Sequence, residues 1–171
     1  ICIVSAITTH TYSGGTVVVN GTGDFRHING NTANFSNVAV SGTGTFSLVS
    51  STVNFNAGSS LSCKINNNGT INDNVGLMPG EVTSIGNYGG TGSPTFANGF
   101  IWNGGQLNGS GTVTMSGIMT GTSGSRSLFG SKILRITGAG TFTGGGIQLA
   151  QTSSLVIANG GTLTIDNTAS A

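Results

Sequence analysis

The phrase [Asn/Ser/Thr]-Gly-x-Gly-[Thr/Asp]-[Phe/Val] begins at Asn20, Ser41, Asn108 and Thr137, and a shortened form follows at Asn159-Gly160-Gly161-Thr162-Leu163. The steps from Asn20 to Ser41 and from Thr137 to Asn159 are nearly equal and predict a unit of about 21 residues. On that reading the stretch from Ser41 to Asn108 is close to three units. The stretch from Asn108 to Thr137 is one unit with an insertion in the Gly/Ser-rich segment 120–125. A unit so short cannot bury its own apolar face. A period near 20 therefore predicts units that stack and share one continuous core, as in a solenoid.

The residues between the phrases say what the units are made of. Thr45-Phe46-Ser47-Leu48-Val49, Thr112-Val113-Thr114-Met115 and Thr162-Leu163-Thr164-Ile165 alternate small polar with apolar residues. Alternate side chains of a strand face opposite sides, so each segment reads as a half-buried strand. In Ser60–Ile65, for example, Leu61, Cys63 and Ile65 share the inner face. No stretch carries an uninterrupted i, i+3, i+4, i+7 apolar pattern, so the fold class is all-β. The glycines of the repeated phrase (Gly21, Gly23, Gly42, Gly44, Gly109, Gly111, Gly138 and Gly140) are expected at coil corners, some with the positive φ that other residues reach only at a cost. The eight Phe are expected to stack inward.

Composition then restricts function. Only nine of 171 residues are charged, five basic and four acidic, a fifth of the usual share. Arg126, Lys132 and Arg135 form the only basic cluster, too sparse for a phosphate-binding surface, so no nucleic-acid partner is expected. No apolar run approaches a membrane span, and the seven-residue opening ICIVSAI lacks the basic flank of a signal peptide. The chain does not start with Met and reads as a processed product or an excised piece. Low charge also suits stacked coils, because a charge repeated on every coil would lie about 4.8 Å from its copy. Four N-x-[ST] sequons, at Asn20, Asn34, Asn68 and Asn108, are no more than chance supplies in so Asn- and Thr-rich a chain.

Residues 100–114, FIWNGGQLNGSGTVT, resemble the W-x-G-G-x-L-x-G-S-G-T-x-T repeats of large bacterial secreted surface proteins, the haemagglutinin-like and autotransporter-passenger β-helices. Residues 144–165 are similar to the unit that follows in such arrays, and 79–88, PGEVTSIGNY, to their P-G-x-x-T-x-x-G-N-Y phrase. The resemblance covers roughly residues 75–168; residues 14–70 agree in style only. It implies a right-handed parallel β-helix, here of about eight coils forming one unit over residues 1–171. It also implies an extracellular location and a role as stalk, adhesin or surface fibre. It carries over no catalytic residue.

Residues 72–98 depart from the rhythm, holding both prolines and the loop-like 89–93 segment. They predict one irregular coil with a longer surface loop, a place where a rigid scaffold displays binding residues. Asn87, Tyr88 and the nearby Trp102 are the candidates for such a loop, with a surface glycan or host receptor as its partner. No enzyme is expected. The four acids, Asp24, Asp73, Glu81 and Asp166, are scattered; Asp73 and Glu81 alone are close enough to meet, across that loop, and Asp24 has one imidazole, His27, nearby. Two Cys and two His at positions 2, 63, 10 and 27 have no zinc spacing, so no metal and no cofactor are expected. A second reading is ice binding through outward Thr-x-Thr pairs, at 43/45, 112/114, 141/143 and 162/164. Glycan cleavage or binding is a third. Cys2 and Cys63, nearly three coils apart, are expected not to bridge. Both ends read as strands made to continue, so the expected partners are further solenoid coils of the same polypeptide or copies stacked head to tail.

Overall fold

The computed structural model describes residues 2–4, 8–122 and 124–166. All its regular structure is β, and every strand pair is parallel. The chain winds as a solenoid with three flat faces. The first runs from the strand Cys2–Val4 to Thr162–Asp166, the second from Thr9–Ser13 to Ile147–Leu149, and the third from Thr16–Val18 to Ser154–Ile157. About seven turns carry a strand on all three faces, close to the eight expected.

The coils are not of equal length. Along the first face the register runs Cys2, Phe25, Phe46, Ile65, Val82, Phe100, Met119, Gly140 and Leu163. The step between rungs is longest at the two ends, from Cys2 to Phe25 and from Gly140 to Leu163, and shortest from Ile65 to Val82. The solenoid has a waist. Its cause is local: the corner between the first and second faces shrinks from residues 29–31 to Ser50 and Ser51, and then to Gly69 alone. At Gly69 the strand Lys64–Asp73 simply bends through the corner, and a Cβ there would lie 2.4 Å from the Ser51 carbonyl oxygen.

The waist corrects the reading of the repeat. The phrases at Asn20, Ser41, Thr137 and Asn159 all turn from the third face to the first, whereas the one at Asn108 turns from the second face to the third. The two irregular spacings on either side of Asn108 therefore compare different corners. Residues 72–98, expected to form an oversized loop, hold the shortest coils instead. Pro79 and Pro94 are buried on the third face, which divides there into a three-stranded and a four-stranded sheet. Proline has no N–H for an internal ladder, and the sheet breaks where one is needed.

Glycine serves two purposes at the turns. Gly21, Gly42, Gly109 and Gly111 have φ of 59°, 113°, 86° and 81°. Gly23, Gly44 and Gly138 lie between strands without positive φ, held instead by close backbone; a Cβ on Gly138 would meet the Gly117 carbonyl oxygen at 2.4 Å. Gly140 differs from the expectation. It lies within the strand Ala139–Thr143, facing inward, where Met119 and Leu163 fill the space its side chain would take.

The core follows the alternation. Phe25, Phe35, Phe46, Phe55, Phe96, Phe100 and Phe142 are buried, and only Phe129 faces outward. Tyr12 stacks on Phe35 at 4.5 Å and Phe35 on Phe55 at 5.1 Å, one ring per coil. Cys63 is buried and free, and burial pushes its thiol pKa up to about 11. In register Cys2 lies three rungs from Ile65, two positions past Cys63; the Cys2 side chain lies outside the described residues.

Candidate functional site

The residues expected on a binding loop are largely inside the molecule. Tyr88 and Trp102 are fully buried because each stands at an inward strand position, Tyr88 between Ile71 and Leu107 and Trp102 beside Ser84. Asn87 is half-buried and faces outward. The glycines near Tyr88 and Trp102 look loop-like in sequence, but Gly89 closes the strand Asn87–Gly89, and Gly86, Gly90 and Gly99 lie immediately outside short strands.

The acids do not assemble. Asp73 is buried, while Glu81 is exposed on the outside, so the two do not meet. Asp24 pairs with Arg26 at 2.5 Å on the outer surface of a strand whose inner side carries His27. His27 packs among Tyr12, Phe25, Phe35 and Phe46, where burial pushes its pKa down to about 4, opposed by Asn31 and reinforced by His10.

Asp73 instead anchors a buried polar centre at the waist. One carboxylate oxygen accepts from the backbone N–H groups of Val75 and Gly76 at 2.9 and 2.7 Å. The other accepts from Leu77 N–H at 2.9 Å and the Tyr88 hydroxyl at 3.2 Å. Three oriented N–H groups are what an ionised carboxylate requires away from water. Burial, then Asp73 and its hydrogen bond, hold the Tyr88 phenol well above its usual pKa.

Three coils further on, the Lys132 side chain turns into the interior and is fully buried. Its ammonium donates to the carbonyls of Gly90 at 3.1 Å, Gly92 at 3.5 Å, and Ser110. An ammonium has three donors and finds three carbonyls. The space for its stem exists because Gly111 and Gly92 occupy the two rungs beneath it. Burial lowers the Lys132 pKa and Asp73 acts against that shift.

Arg126 repeats the device at another corner. Gly121 is an inward position between Trp102 and Phe142, and a Cβ there would sit 2.5 Å from the guanidinium. The guanidinium fills that space, 4.5 Å over the Phe142 ring, and donates to the carbonyls of Trp102 and of Gly144, the latter at 3.2 Å. Two members of the one basic cluster in the sequence are thus core residues.

The outer surface can now be mapped. Asp73, Arg126 and Lys132 are inside; Asp24, Arg26, Lys64, Glu81 and Asp166 lie on or beside the first face; Arg135 is on the third. The outward positions of the second face therefore carry no charge. One column there reads Thr9, Thr32, Thr52, Thr70, Asn87, Gln106, Ser127 and Gln148. The next begins Thr11, Asn34, Asn54 and Asn72, with amide-to-amide hydrogen bonds of 2.7 Å joining the three Asn. The Thr-x-Thr pairs singled out in the sequence do not form one plane. Thr112 and Thr114 stand on the third face, and Thr43 at a corner. On the first face Thr141 stacks on Thr164, but Thr143 meets Asp166 and Thr162 meets Ala139.

At the waist, the short corner between the first and second faces leaves a groove of about 500 Å³, running along the axis beside the Thr column. Ser50, Thr52, Asn68, Thr70, Ile85 and Asn87 line it, over a floor of glycine. Ser50 has a φ of 51°, at the register shift between Val49 and Thr52. Sequence reasoning missed both the groove and the buried cations, since each depends on which coil lies beside which. Among the described residues no group of His, Cys, Asp and Glu is placed to hold a metal ion, and no helix is long and apolar enough to cross a membrane. Comparison with known proteins returned no matching family model, no matching curated protein and no matching solved structure.

Proposed function

We propose that this chain serves as a segment of a rigid, non-catalytic, extracellular β-solenoid, a stalk or adhesin rod or the subunit of a surface filament, whose coils continue into further solenoid. The observation that carries the proposal is the state of the last rung. Leu149, Ile157 and Ile165 stand in register with the buried Leu128, Ile136 and Phe142, yet are 51%, 51% and 45% exposed. Inward residues of a solenoid are covered only by the next coil. The cross-section supports the same reading. The steps from Cys2 to Phe25 and from Gly140 to Leu163 are equal, although the coils between them narrow to the waist, so coils of one size stand at the two ends. Surface charge that is sparse and confined mainly to one face suits a rod built to stack.

Sedimentation and electron microscopy test this together. Concentration-dependent head-to-tail oligomers, or a tandem two-copy chain melting well above the single copy, is the expected result. A monomer that stays compact at high concentration, with the strand Thr162–Asp166 as protected from hydrogen exchange as the central strands, overturns it.

A further inference from the structure

We propose that the waist groove and the neutral columns beside it form a binding site for an extended, uncharged polysaccharide lying along the solenoid axis. This adds a ligand to the rod and does not depend on how rods are joined. The groove is within the volume range of small-ligand sites, at about 500 Å³. It is a built feature: Gly69 and Gly86 form its floor where any Cβ would strike backbone, at 2.4 and 2.2 Å, so the notch cannot be filled from below. Its walls offer hydroxyls from Ser50, Thr52 and Thr70 and amides from Asn68 and Asn87. Ile85, 51% exposed, supplies an apolar patch.

That mixture selects the ligand. A nucleic acid or acidic glycan needs cations, and every cation lies elsewhere: inside, on the first face, or at Arg135. A protein partner is usually held by Trp, Tyr or Arg anchors in desolvated pockets; the outward columns of the second face hold none, and Phe129 is their one large apolar side chain. A neutral chain of sugars presents vicinal hydroxyls on its edges and C–H surface on its faces, matching amide, hydroxyl and isoleucine groups. The columns repeat every rung, about 4.8 Å, so a ligand with its own short repeat meets the same groups again. The ladder bonds that join Asn34, Asn54 and Asn72 hold those amides in place before any ligand arrives, which lowers the ordering cost of binding.

The experiment is co-sedimentation of the full chain with insoluble neutral polysaccharides (cellulose, chitin and a neutral β-glucan), with carboxymethylated cellulose as the charged control. The expected result is retention on at least one neutral polymer, unchanged as salt rises from about 0.05 to about 0.5 M, because no ion pair contributes. Asn68→Ala with Ile85→Ala should weaken retention about tenfold, a loss of about 1.4 kcal/mol, and Thr114→Ala on the third face should not. In parallel, a soluble neutral oligosaccharide should slow hydrogen exchange of the unaltered chain at residues 50–52, 68–70 and 85–87, a readout that needs no variant to fold. Retention on no neutral polymer, retention indifferent to the groove pair, or no added protection in the groove overturns the proposal. So does adsorption of the unaltered chain to ice in place of polysaccharide, which would assign the Thr column to ordered water.

Discussion

The two halves of the solenoid fill the same backbone tube in different ways. In the first half the interior is a pile of rings: Tyr12, Phe35 and Phe55 stack on one face while Phe25, His27 and Phe46 pack edge-on against them. In the second half several inward positions are glycine, and long basic side chains occupy the space, Arg126 of the same coil at Gly121 and Lys132 of a later coil over Gly111 and Gly92. The first solution gains from apolar burial and ring contacts. The second trades burial for hydrogen bonds, since a cation taken out of water must recover its hydration from carbonyls. Parallel coils make the second solution workable, because they bring carbonyls of neighbouring coils within reach of one side chain: Ser110, Gly90 and Gly92 for Lys132, and Trp102 and Gly144 for Arg126. The difference teaches that a charged residue in such a chain is informative only together with the glycines beside it, in its own coil for Arg126 and in the preceding coils for Lys132.

The comparison breaks most readily at Lys132. Lys132→Ala removes the stem and takes the ammonium from the carbonyls of Gly92 and Ser110, while the Gly90 carbonyl keeps only the Ser110 N–H. It also takes a compensating charge away from Asp73. We expect a loss of about 3–5 kcal/mol in urea unfolding. Lys132→Met restores the stem but not the donors and should fall between. An alanine variant as stable as the parent would show that the cation does not hold the coils.

The ring-filled half has its own weak point in His27. Its pKa is lowered to about 4, against an ordinary value of 6.5. Between those values the unfolded chain binds the proton that the folded chain refuses, so stability falls as pH drops from about 6.5 to about 4 and is fully present above 6.5. The shift corresponds to about 3 kcal/mol. Replacing His27 by Leu should flatten that segment of the stability–pH curve; an unchanged slope would place the titration elsewhere.

Simple truncation in the same half should cost less. Phe46→Leu keeps the position apolar but removes a ring that touches Phe25, His27, Phe35 and Phe55, for about 1–2 kcal/mol. If Phe46→Leu exceeds Lys132→Ala, the rings rather than the cations are the more demanding packing solution.

The ring-filled half is also the more legible one. The strand Thr45–Phe55 announces itself by alternation, and the inward course of Phe46 and Phe55 follows. Alternation fixes a side chain's direction within a strand; it does not say which strand lies beside it. Register between coils is set by corner lengths, and those shrink turn by turn from Asn29 to Gly69. The repeated phrase cannot reveal this, because it serves at two kinds of corner. Tyr88 and Trp102 are misplaced by sequence for the same reason: strands as short as Asn87–Gly89 and Phe100–Trp102, bordered by glycine, carry too little alternation to declare an inner side. The neutral second face is hidden too, since Thr9, Thr32, Thr52 and Thr70 become one column only once the unequal coils are aligned.

The smallest expected effect lies on the outer surface and marks the limit of the comparison. Thr114 faces outward on the third face, in register with Thr95 on one side and Arg135 on the other. Its backbone N–H bonds the Pro94 carbonyl at 2.9 Å, a contact that no side-chain change removes. Valine is β-branched like threonine, has the same shape, and suits a strand at least as well. Thr114→Val should therefore shift stability by no more than about 0.5 kcal/mol in either direction, whichever way the interior beneath it is packed. The interior there is Val113 and Met115, which point away from the substituted side chain. A loss above about 1 kcal/mol in urea unfolding would mean that hydroxyls on the outer faces help hold the coils together. The contrast between ring-filled and cation-filled halves would then account for only part of what stabilises the stack.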